Sequence, residues 1–163
     1  MKNKKIKIIS FLLLLFFFNN CGFSPVYKFS DSSLDLGSYS ISILNSSNTS
    51  KEVIDEIKDP FSSSSGAEKI YIIEINAVEN LEPLITNTDG TVSKYRIEII
   101  LNFNVKDKSN NAYIIEDVVR GFAQYTVETS EIESSEIKKR MVQTATSNAI
   151  QMMISKIQSD SAF

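Results

Sequence analysis

The sequence predicts an α+β fold, a two-layer sandwich in which a four-stranded sheet carries two helices packed on one face, in the order β-α-β-β-β-α. Three observations predict it. Four segments alternate apolar and polar residues with period two, and two others place apolar residues at helical spacing behind a Ser/Thr-x-x-Glu start. Polar or proline-containing breaks separate all six. Each helix has one apolar stripe and each strand one apolar face, so the two kinds of element bury those surfaces against each other in two layers.

Residues 38–44 alternate, with Tyr39, Ile41 and Ile43 on one face and serines on the other, as in a half-buried strand. Thr49-Ser50-Lys51-Glu52 fits a capping box, with Thr49 as cap. Val53, Ile54, Ile57 and Phe61 follow at helical spacing, and Pro60 is expected to end the helix because the residue before a proline avoids the α region. Residues 62–66 read as a flexible connection. In the second strand, over 69–78, Tyr71, Ile73, Ile75 and Ala77 share a face. Residues 79–93, with Pro83 and the Asp89-Gly90 pair, read as a long loop.

The strand over 94–106 is the clearest in the chain. Tyr95, Ile97, Ile99, Leu101, Phe103 and Val105 face the core, while Arg96, Glu98, Ile100, Asn102, Asn104 and Lys106 face water. A turn at 107–111 leads to a fourth strand over 112–127. There Tyr113, Ile115, Val119, Ala123 and Tyr125 share the apolar face with two misfits, Asp117 and Gly121, for which a bulge is the expected remedy. Ser130 and Glu133 open a long helix whose early acids suit its positive end. Ile137, Met141, Ala145, Ala149 and Met152 form its stripe, widened by Val142, Met153 and Ile157. Strands two to four form a meander, with the first at an edge or beside one of them.

Ahead of this domain stands an N-terminal signature of export. Lys2, Lys4, Lys5 and Lys7 precede an apolar run over 8–18, and Cys21 stands just beyond it. A membrane-crossing helix needs roughly 20 apolar residues, so the run reads as a removable signal over 1–20 rather than an uncleaved anchor. Cys21 is the only cysteine, which excludes an intrachain disulfide, and its place makes it the expected lipid-attachment residue. Asn20 stands before it where lipoprotein signals carry Gly, Ala or Ser. Residues 21–37 are then a lipidated tether and 38–163 a single domain anchored to a membrane through the N-terminal lipid.

The chain has 17 basic and 20 acidic residues, and four lysines leave with the signal, so the mature balance is 13 − 20 = −7. Such a surface repels phosphate backbones, and nucleic acid is not an expected partner. There is no histidine, no Gly-x-Ser-x-Gly elbow and no glycine-rich phosphate loop. Glu116 and Asp117 are neighbours in a strand and point to opposite faces, so they cannot share a substrate. No catalytic residue, metal or cofactor is expected, and the protein reads as a non-enzyme. The methionines of the last helix are core filler at that spacing. Lys94, Arg96, Lys106 and Arg120 remain, either paired with acids such as Glu98 and Glu116 or gathered as a cationic spot.

The opening Cys21-Gly22-Phe23-Ser24-Pro25-Val26-Tyr27 resembles the CGF-x-P-[LV]-Y start of the lipopolysaccharide-assembly lipoproteins of the LptE type. Lys94-Tyr95-Arg96-Ile97 resembles the basic third strand of that family. Arg120-Gly121-Phe122-Ala123-Gln124-Tyr125, followed by a helix with an acidic start, resembles its last strand and C-terminal helix. The resemblance spans most of the mature chain, and the element order agrees. It implies an outer-membrane lipoprotein, facing the periplasm or inside a barrel lumen, that plugs and helps assemble an LptD-type β-barrel and assists lipopolysaccharide transport to the outer leaflet. Contact with lipopolysaccharide or the partner would fall to Lys94, Arg96, Lys106 and Arg120. The alternative from a different class is a periplasmic scaffold or chaperone that binds a peptide by edge-strand addition.

Lipid attachment has a direct check. Intact mass of the mature wild-type chain should show an acylated N-terminal Cys21, and Cys21→Ser should give an unacylated chain retaining its signal. A mature chain that begins elsewhere would exclude the lipoprotein reading.

Overall fold

The computed structural model describes residues 36–44, 49–62 and 70–159; the signal, Cys21, the tether up to residue 35 and the connection from residue 63 to 66 lie outside them. After a 3₁₀ turn at Leu36–Ser38 come β1 (Tyr39–Leu44), α1 (Lys51–Ser62), β2 (Tyr71–Thr86), β3 (Val92–Asp107), β4 (Tyr113–Thr126) and α2 (Glu131–Ser159). The sheet order is β1-β2-β3-β4. β1 pairs parallel to β2 through the crossover helix α1, and β2, β3 and β4 form an antiparallel meander. The α+β sandwich and its element order are as the sequence predicts, and β1 takes the edge beside β2.

Alternation builds the core. Ile73, Ile75, Ile97, Ile99, Leu101, Phe103 and Val105 are buried on one face of the sheet, against Val53 and Ile57 of α1 and Val142, Ala145, Ala149, Ile150, Met153, Ile154 and Ile157 of α2. The stripe of α2 therefore runs through Met153, four residues after Ala149, and Met152 is half-exposed instead of joining it. Stacked tyrosines close the two ends of the buried face: Tyr39 on Tyr71 with centroids 5.1 Å apart, and Tyr95 on Tyr125 at 5.4 Å.

Several local expectations are overturned. Residues 79–93 are not a long loop: β2 continues to Thr86, and only 87–91 turn, with Gly90 at φ +87°. Thr49 Oγ1 donates to Ala77 O at 2.8 Å from outside the sheet, so odd-numbered residues of β2 turn their backbone groups away from β3. The missing N–H of Pro83 consequently falls on the open side of the strand, where no ladder bond is lost. That same bond takes Thr49 away from capping α1. Ser50 is the residue whose carbonyl receives the first helical bond, from Ile54 N at 3.3 Å. Pro60 does not end α1, which runs on to Ser62 and buries Phe61. At the second helix Ser130 does cap, with Glu133 N donating to Ser130 Oγ at 3.4 Å.

β4 carries no bulge at Asp117 or Gly121, and its pairing to β3 is unbroken from Ile115 to Thr126. The irregularity lies at Ile114, between the Lys106–Tyr113 and Val105–Ile115 pairs. It moves Tyr113 off the apolar face into solvent opposite Lys106. Gly121 stays on the core face because α2 occupies the place of a side chain. A Cβ there would lie 1.9 Å from Ala145 O and 2.7 Å from Ala149 N. Asp117 stays there because Lys156 of α2 is its ion-pair partner.

Two substitutions probe this packing by chemical denaturation. Leu101→Ala should lower stability by about 2 to 5 kcal/mol, as truncation of a buried leucine does. Gly121→Ala should be at least as damaging although it adds only a methyl group, because the atoms it meets are helix backbone and cannot rotate away. A near-neutral Gly121→Ala would mean that α2 does not seat on β4 at this distance.

Candidate functional site: the open face of the sheet

Both helices lie on one side, so no described element covers the other face of the sheet. The registers of the strands set its rows. At one end Ser40, Ile72, Lys106 and Tyr113 run across the four strands. Next come Ser42, Glu74, Asn104 and Glu116, then Leu44, Asn76, Asn102 and Val118. Val78, Ile100 and Arg120 follow, then Asn80, Glu98 and Phe122. Glu82, Arg96 and Gln124 stand near the β2–β3 turn, with Lys94 beyond them opposite Thr126. Leu44, Glu74, Asn76, Asn102, Asn104, Glu116, Asp117 and Val118 line a shallow concavity at the second and third of these rows. Leu44, Val118 and Phe122 are 43%, 44% and 49% exposed, more than strand residues next to a covering layer would be.

Charge on this face is balanced: Lys94, Arg96, Lys106 and Arg120 against Glu74, Glu82, Glu98 and Glu116, 4 − 4 = 0. Lys106 Nζ donates to Glu74 Oε1 at 2.7 Å and lies 4.5 Å from the centroid of the Tyr113 ring. The Glu74 hydrogen bond first, and Tyr113 second, hold the Lys106 ammonium above the usual lysine range. Arg120 Nη1 reaches Glu98 Oε1 at 2.7 Å. That bond, followed by the one from Asn80, holds the Glu98 carboxyl below the usual glutamate range. Arg120 is half-exposed, so solvent screens the pair to about 1 kcal/mol or less. Arg96 makes only a loose contact to Glu82, at 3.5 Å between well-exposed groups, and Lys94 has no carboxylate within 4 Å among the described residues.

The four cations singled out in the sequence therefore share one face but not one spot. Lys94 and Arg96 are two residues apart on β3, roughly 7 Å. Arg120 is a few rows away, and Lys106 stands near the far end of the strand. Glu74 and Glu82 are their unforeseen partners. Both alternate correctly in the sequence, but cross-strand register decides which charge they meet. Tyr113 also joins the face unforeseen, through the irregularity at Ile114. Among the described residues no group of three or more Cys, Asp or Glu could hold a metal ion.

Acid should loosen this arrangement in a defined way. Glu98 is held below its ordinary value by Arg120, and Asp117 below its own by Lys156 and the Val118 N–H. A carboxyl depressed in the folded state stabilises it above the unfolded value, near about 4, and that contribution disappears as pH falls through the folded value. Urea midpoints should thus stay level above about pH 5 and drop below about pH 4. Glu98→Gln with Asp117→Asn should flatten the drop; an unchanged acid limb would place the titrating groups elsewhere.

No family model matches the chain, and no curated protein matches it in sequence. Among solved structures its fold is similar to that of a lipoprotein-like chain from Caulobacter crescentus, with TM-score 0.58 and 12% identity over 76% of this chain and 92% of that one. A minor lipoprotein of Acinetobacter baumannii is similar at TM-score 0.56 and 10% identity, over 78% and 95% of the two chains. Lipoprotein B of Nitrosomonas europaea is similar at 0.52 and 14%, over 73% and 79%. At these identities the likeness is one of fold: the chain has the fold that these three proteins share.

Proposed function

We propose that the chain is a non-enzymatic outer-membrane lipoprotein, anchored through Cys21, that seats inside an LptD-type β-barrel, helps the barrel assemble and assists passage of lipopolysaccharide to the outer leaflet. The observation that carries this reading is the open face of the sheet. It offers asparagines, neutralised ion pairs and a few apolar residues, which suits the polar, water-bearing wall of a barrel lumen better than a lipid surface. Domains of the same fold in three lipoproteins, and the Cys-Gly-Phe opening, support the anchor and the resemblance to the LptE type.

Direct contact with the glycolipid falls to Lys94 and Arg96, whose charges are least neutralised by neighbours. Arg120 and Lys106 are engaged with Glu98 and Glu74 and serve the face itself. The edge-strand alternative is less favoured, because Pro83 removes a donor from the upper edge of β2 and side chains of α2 occupy part of the β4 edge.

Affinity isolation of the tagged native protein in detergent should recover a large β-barrel, and depletion of the chain should leave that barrel misassembled and surface lipopolysaccharide reduced. Lys94→Glu with Arg96→Glu should weaken lipopolysaccharide binding tenfold or more, each charge-assisted phosphate contact being on the order of 1.5 to 3 kcal/mol, while barrel recovery persists. Unchanged lipid binding would remove those two residues from the contact. Failure to recover a barrel would overturn the plug.

A further inference from the structure

β4 is an edge strand of 14 residues with no strand on its outer side among the described residues. Val127 N donates to Ser93 O at 2.9 Å where the β3–β4 ladder ends, so odd-numbered residues of this strand turn their backbone groups to β3. Even-numbered residues from Glu116 to Gln124 turn theirs outward. A long outward row of this kind is a template for pairing with another strand.

Side chains occupy part of that row. The Val118 N–H donates to the Asp117 carboxylate at 2.6 Å. The Val118 carbonyl receives Lys156 Nζ at 3.4 Å, and the Phe122 carbonyl receives Asn148 Nδ2 at 3.4 Å. Lys156 also pairs with Asp117, so one ion pair closes both backbone groups of Val118. Asn148 and Lys156 lie eight residues apart on α2 and reach Phe122 and Val118, four residues apart on β4, as a helix antiparallel to its strand allows.

We propose that the outer edge of β4 is a pairing surface for a second copy of this chain, held shut by Asp117, Lys156 and Asn148. The strand complements itself. In an antiparallel pair centred on Val118, Glu116 faces Arg120 of the second copy and Arg120 faces its Glu116, all on the open side of the sheet. Val118 lies at the two-fold axis, so the guard covers the residue about which pairing would begin. In this state the guard covers both backbone groups of Val118 and the carbonyl of Phe122.

The test uses the purified full-length chain in detergent. Val118→Cys placed on the two-fold axis brings two Cα atoms to about 5.5 Å, within disulfide reach, so mild oxidation reports pairing. A chain without the new cysteine measures any background from Cys21. Lys156→Met with Asn148→Ala opens the guard and should raise the disulfide-linked dimer roughly fivefold for each hydrogen bond removed. If the double variant loses its circular dichroism, Asn148→Ala alone, which removes one exposed contact, gives the smaller rise. In the opened chain Val118→Lys should return sedimentation to the monomer by setting two ammonium groups against each other. Equal cross-linking in guarded and opened chains, or none in either, would overturn the proposal.

Discussion

Helix α2 lies against the sheet at backbone distance because Gly121 presents no Cβ to it. The nearest helix atoms, Ala145 O and Ala149 N, would overlap any other residue there, and the helix side of the contact is itself made of alanines. Small residues on both elements bring the helix close, and the close approach fixes its position along β4. From that seat Val142, Ala145, Ala149 and Met153 join Ile97, Ile99 and Leu101 of β3 in one buried cluster. The same seat puts Lys156 beside Asp117. An acid on the apolar face of a strand thereby acquires a partner and does not have to be expelled by a bulge.

Placing both helices on one side makes the two faces of the sheet chemically different. The covered face is apolar apart from the Asp117–Lys156 pair at its margin, and it closes at each end with a tyrosine stack. The open face is a lattice of amides and opposite charges with apolar residues set among them. Because its four carboxylates equal its four cations in number, it carries no net charge on a chain that is acidic overall. Where Lys106 meets Glu74 and Arg120 meets Glu98, a partner gains contact without burying uncompensated charge, which is costly when one partner of a pair is missing. The pairing is incomplete at two places: Glu116 has no cation within 4 Å among the described residues, and toward the β2–β3 turn Lys94 stands without an acid and Arg96 holds Glu82 loosely.

The edges receive separate treatment. Along β2, beyond the end of β1, Thr49 takes one outward carbonyl and Pro83 removes an outward donor. Along β4 the carbonyls of Val118 and Phe122 are met by Lys156 and Asn148 of the helix that also builds the core, and the Val118 N–H by Asp117 of the strand itself. Both edges thus have outward backbone groups occupied by side chains brought there by the packing of α1 and α2.

Alternation in the strands and helical spacing in α1 and α2 determined the fold class, the element order and nearly all of the core, because burial on one face imposes those periods directly on the residues. The N-terminal basic and apolar runs before Cys21 are equally a property of the chain alone. The sequence also named the four cations of the open face. It could not show that Glu74 holds Lys106 and Glu98 holds Arg120, since register between strands distant in sequence sets those pairs. Nor could it show that Pro83 is tolerated within a strand, which depends on where β1 ends. Residues 79–86 looked like a loop because their apolar residues have no helix above them and lose the alternating pattern. Asp117 and Gly121 looked like faults in a strand because the helix groups that accommodate them are distant in the sequence. Their explanation lies in Lys156, Ala145 and Ala149, more than twenty residues away in the chain, and only tertiary packing brings those groups together.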